Sequence, residues 1–136
     1  METEWTPALR DMMQAVADEI GAQLEDDGEG YFSIEYPFED GRTQLVTAYA
    51  DEDEEGNPWV MIYSTIGPAQ GMNLMSLLER NFSIGYTHIA VDEGDALVCA
   101  SMPLEELSAE DLGYVIDQVA GWADALESEF VGGDTN

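Results

Sequence analysis

Toward the end of the chain, Leu112, Val115, Ile116, Val119, Ala123, Leu126 and Phe130 recur at spacings of three and four. Together they form one apolar stripe unbroken over about five turns. A helix patterned this way is marginal alone in water and must lie against a matching apolar surface. Ser108 is placed to cap it, and Glu110 and Asp111 suit the positive end of its dipole. A second stripe opens the chain, at Leu9, Met13, Val16, Ile20 and Leu24. Thr6 is expected as its cap and Pro7 at its first position, with a stop near Asp27-Gly28.

What those helices cover is predicted by the segments between them. Tyr31 to Tyr36 alternates, with Phe32, Ile34 and Tyr36 on one face and Tyr31, Ser33 and Glu35 on the other. Asp40-Gly41 is a hairpin signal, and Thr43 to Ala50 reads as a second strand. The run 51–55 with Gly56-Asn57-Pro58 makes a turn before a third strand, Trp59 to Thr65. A short helix is expected from Met72 to Arg80. Strands at about Gly85 to Val91 and Ala96 to Met102 follow, joined by Asp92-Glu93-Gly94-Asp95. The order α-β-β-β-α-β-β-α predicts an α+β fold, helices packed on an antiparallel sheet. One domain over residues 1–131 is expected, with 132–136 as a flexible tail.

Charge limits the partners. There is no lysine; three arginines, Arg10, Arg42 and Arg80, face thirty Asp and Glu, for a net charge of −27. Such a chain repels phosphate, so direct nucleic-acid binding loses its dominant attraction, as does an anionic membrane. Disorder is disfavoured because 45% of residues are hydrophobic and 10% aromatic, enough to build a core. No apolar run approaches the roughly 20 residues of a membrane span. Met1 to Trp5 is acidic and does not read as a secretory signal, so a cytoplasmic location is expected. The acids read either as a solvated coat, as in salt-adapted proteins, or as a surface for a basic client.

Two segments carry a resemblance: Leu77-Leu78-Glu79-Arg80-Asn81-Phe82, and Leu104-Glu105-Glu106-Leu107-Ser108-Ala109-Glu110-Asp111-Leu112 after Pro103. With the acidic turn Asp92 to Asp95 between them, the chain resembles the YbjN-like proteins and the type III secretion chaperones over most of residues 8–130. The resemblance implies a small, acidic, non-catalytic homodimer that holds an extended client segment by strand addition and apolar pockets. It also implies a dimer contact on the middle helix, at Met72, Leu74, Met75 and Leu78.

Other chemistry is thinly supplied. The run Asp51-Glu52-Asp53-Glu54-Glu55-Gly56-Asn57 begins like a calcium loop, but position 12 would be Ile62 and the flanks read as strands. His88 and Cys99 flank one hairpin and are expected to pack rather than react. Ser64 and Ser76 lack a nucleophile-elbow context, and Gly67-Pro68-Ala69-Gln70-Gly71 is no phosphate loop. Neither a cofactor nor a metal is implied, and an enzyme is not expected. Methionines suit adaptable grooves. The adjacent pair Met12-Met13 cannot both face a core. Trp5, Met12, Met13 and Trp59 are therefore the expected client contacts, with Trp122 on the shoulder of the last helix. The expected function is a chaperone-like, protein-binding homodimer whose client is basic, such as a nucleic-acid-processing protein. The alternative is an acidic inhibitor or nucleic-acid mimic acting by charge alone.

Overall fold

The first helix stops earlier than its stripe suggests. In a computed structural model that describes residues 2–131, α1 spans Thr6–Ile20. It ends where Gly21 takes a left-handed backbone (φ 75°), which costs a glycine little. Leu24, expected on the same stripe, instead opens an extra edge strand, β1 (Leu24–Gly28). A spacing of four from Ile20 to Leu24 fits a helix, but Gly21 breaks it and the chain turns back as a strand. Nor does Thr6 cap α1: it lies within the helix, and its hydroxyl accepts the backbone N–H of Thr3.

The remaining elements follow the expected succession: β2 (Tyr31–Pro37), β3 (Thr43–Glu52), β4 (Pro58–Pro68), α2 (Leu74–Glu79), β5 (His88–Asp92), β6 (Asp95–Pro103) and α3 (Ala109–Phe130). A turn of 3₁₀ helix, Arg80–Ser83, extends α2. The fold is α+β. Its six strands form one antiparallel sheet in the order β1-β2-β3-β4-β6-β5. The β5–β6 hairpin turns on Glu93 and Gly94, both with positive φ (50° and 88°), the geometry of a tight two-residue hairpin turn. Ser108 caps α3 as expected, its Oγ accepting the N–H of Asp111 at 3.0 Å.

Both long helices lie on one face of the sheet. There Leu9, Met13 and Val16 of α1 join Leu112, Ile116, Val119, Ala123 and Leu126 of α3 over Phe32, Ile34, Val46, Ile62 and Val98. Full burial of each large side chain is worth about 2 kcal/mol. Tyr36 ties the layers together at the edge: its hydroxyl donates to the carboxylate of Asp117 on α3. Arg42, on the β2–β3 turn, does the same through Asp124 at 2.9 Å. No helix among the described residues is long and apolar enough to cross a membrane. The expected tail, 132–136, lies outside the described residues.

Candidate functional site

Among the described residues no helix packs on the opposite face of the sheet, and three surfaces face solvent. The first is α2 with its 3₁₀ extension. Only Leu77 of the six α2 residues is buried. Asn73 caps the helix through Oδ1, which accepts the N–H of Ser76 and fixes this orientation. Leu74 (38% exposed), Met75 (70%) and Leu78 (45%) therefore face outward, and Phe82, one turn on, is 99% exposed. A phenylalanine wholly in water is rare on a surface with no partner. Met72, expected with these, is half-buried against the core. Phe82 is not among the contacts expected from the sequence, where it only closes the segment Leu77-Leu78-Glu79-Arg80-Asn81-Phe82.

The second surface is the bare face of the sheet. The register puts Tyr31, Thr47, Tyr49, Trp59, Met61, Tyr63, Leu97 and Cys99 on it, since each pairs across the strands with another of the set or with a residue of that face. Tyr49 stands at the centre, its ring 5.0 Å from Tyr31, 6.3 Å from Trp59 and 6.5 Å from Tyr63. Tyr31, Tyr49, Tyr63 and Met61 line a trough of about 530 Å³, closed at one side by Asp92, Glu93 and Asp95 of the β5–β6 hairpin. Burial, then the neighbouring Tyr31 and Asp51, push the Tyr49 phenol up. Tyr63 is raised by burial and by Tyr31, Asp27 and Asp92, against a lowering bond from Thr47. Carboxylates from both margins of the sheet thus act on the same rings. The signal was present in the sequence: alternate strand positions that should be polar on a solvated face are aromatic or apolar.

The third surface is the sheet edge at β1; at the other edge, β5, the N–H of Ile89 is already accepted by Asn81 Oδ1. β1 carries Glu25, Asp26 and Asp27, all exposed.

The expected client contacts divide. Met13 is fully buried beneath α1, with no surface to offer, and is corrected out of the set; Met12 beside it is half-buried. One of the two had to be inside, and it is Met13. Trp5 is half-buried against the core, and Trp59 stands half-buried on the bare face. Trp122 packs on the shoulder of α3.

Catalytic geometry is sparse. His88 and Cys99 are direct cross-strand partners, Nε2 to Sγ 3.2 Å. Burial raises the Cys99 thiol, so at neutral pH it stays protonated and unreactive. Ser64 is buried, its Oγ donating to the Leu45 carbonyl at 2.6 Å. The acidic run at 51–55 is a turn built on Asp53, whose carboxylate accepts the backbone N–H groups of Glu55 and Asn57 at 2.9 Å. Those bonds, led by that of Asn57, hold Asp53 below the usual carboxylate range. Among the described residues, no three His, Cys, Asp or Glu side chains are grouped to hold a metal. Each arginine is ion-paired: Arg10 with Asp26, Arg42 with Asp40 and Asp124, Arg80 with Glu129. Among the described residues no arginine is left without a carboxylate partner.

This arrangement of sheet and helices superposes on chains of two solved chaperone complexes. A chain of the HopA1–SchA chaperone–effector complex superposes with a TM-score of 0.64 at 16% identity, covering 94% of this chain and 99% of that one. The Yersinia pestis type III secretion chaperone SycH, solved with a stable fragment of YscM2, gives 0.60 at 15% identity, covering 85% and 97%. No family model matches the sequence, and no curated protein matches it.

Proposed function

We propose that this chain is a non-catalytic, chaperone-like module that binds a client protein and works as a homodimer, in the manner of the type III secretion chaperones and the YbjN-like proteins. The observation that carries this reading is the outward apolar ridge of α2, with Leu74, Met75 and Leu78 leading to the fully exposed Phe82. Self-complementary apolar ridges of this kind are what a two-fold interface buries. The dimer contact is assigned to Leu74, Met75 and Leu78, with Met72 at its margin. Trp5, Met12 and Trp59 are assigned to the client, with the β1 edge offered for strand addition. The thirty acids favour a basic client, such as a nucleic-acid-processing protein, held in the cytoplasm without contact to nucleic acid or membrane. Residues 1–131 act as one domain. A protonated Cys99 beside His88, with no carboxylate on the imidazole among the described residues, supports a non-enzyme.

Light scattering on size-fractionated protein tests the dimer. The wild type is expected to be dimeric, and Met75→Glu or Leu74→Glu monomeric or insoluble. Two soluble dimeric variants would remove α2 from the interface.

The charge favours one second reading, an inhibitor or nucleic-acid mimic that competes by carboxylates alone. Partners captured from lysate and eluted with rising salt separate the two. A mimic releases its partner as exposed charges are screened, whereas apolar burial persists.

A further inference from the structure

We propose that the trough on the bare face of the sheet is an arginine-binding site, which receives guanidinium groups of a bound polypeptide. The floor is aromatic: Tyr31, Tyr49 and Tyr63 with Met61. The rim is anionic: Asp92, Glu93 and Asp95 line it, and Asp27 and Asp51 lie close enough to act on the tyrosines. Flat π faces beside carboxylates suit a planar cation that stacks and accepts paired hydrogen bonds. Guanidinium meets both demands and is less strongly hydrated than an ammonium, so arginine is favoured over lysine. The chain cannot supply this cation itself. Its only three basic side chains beside His88 are ion-paired elsewhere, with Asp26, Asp40, Asp124 and Glu129. Nor does a second copy supply it, because the three arginines of that copy are ion-paired in the same way. The inference deepens the protein-binding reading and rests on it only for the source of the arginine.

The probe is acetyl-Arg-Arg-amide, with its lysine and citrulline counterparts, titrated into protein carrying ¹³C-methyl methionine. Met61 lies in the trough wall, while Met75 on α2 serves as an internal control. Arginine is expected to shift the Met61 methyl and leave Met75 unmoved. Lysine should bind about fivefold more weakly, and neutral citrulline not at all. Asp92→Asn with Asp95→Asn should weaken arginine binding about tenfold, and Tyr49→Leu about fivefold. A charge-matched pair on α1, Asp11→Asn with Glu19→Gln, should leave it unchanged. The site is overturned if Met61 does not move, if citrulline or lysine equals arginine, or if the α1 pair weakens binding as much as the rim pair. It is also overturned if Tyr63→Glu turns a dimer into a monomer, because the face would then join two copies. A client that the rim variant still retains, while the peptide fails on wild type, would refute the trough and leave the chaperone reading intact. Loss of any client from wild type would refute the chaperone reading instead, without touching the peptide result.

Discussion

At the scale of single residues, Tyr36 shows how one hydroxyl can join two layers. Its Oη donates to Asp117 across the sheet–helix boundary, and burial followed by that bond raises its pKa to about 12 from 10.0. The unfolded chain loses this proton near 10, so between pH 10 and 12 the folded state holds more protons and stability falls as pH rises. The contribution is complete below pH 10 and gone above 12. The ring is partly exposed, so solvent screens the effect. Tyr36→Phe is therefore expected to flatten part of the decline in urea midpoint over that window, while lowering the midpoint slightly at pH 7. An unchanged alkaline profile would mean that the phenol titrates freely.

The elements were legible where local chemistry and tertiary need agreed. The α3 stripe and its Ser108 cap stand together in the fold, as do the Asp40-Gly41 and Glu93-Gly94 turns. Replacing Ser108 by alanine should lower stability by about 1 kcal/mol, read as a drop of about 4 °C in Tm. Ser108→Asp should restore it, and a cap that can be removed at no cost would show the helix to be held wholly by its packing. The start of the chain misled for a physical reason. Leu24 continues the helical spacing of Ile20, yet a single glycine at 21 and the pairing of Leu24 with Ile34 decide the matter. Register across a sheet is a long-range fact that no local period records. The candidate site was legible only in part: a dimer contact on the middle helix came from the resemblance alone, the outward ridge of α2 appears only in the fold, and Met13 had to be placed before it could be seen to lie inside. The aromatic face became a site only when strands far apart in sequence brought Tyr31, Tyr49 and Tyr63 together.

Across the whole molecule, charge opposes compaction. A net −27, with every arginine already paired, leaves strong self-repulsion among the remaining carboxylates. Screening should relieve it, so Tm is expected to rise between low salt and about 1 M sodium chloride, where the screening length falls to about 3 Å. A Tm that falls would mean that the few ion pairs outweigh the repulsion.

Two strand edges and an exposed phenylalanine would ordinarily invite copies of a protein to zip into fibres. Here the β1 edge is a row of Glu25, Asp26 and Asp27, so a sister chain approaching in register meets its own charge. Charge guards this edge together with shape, because the strand is short and its register shifts between Asp26 and Gly28. At a pH near the isoelectric point of about 4.1 the chain as a whole carries no net charge, and the repulsion between copies goes with it.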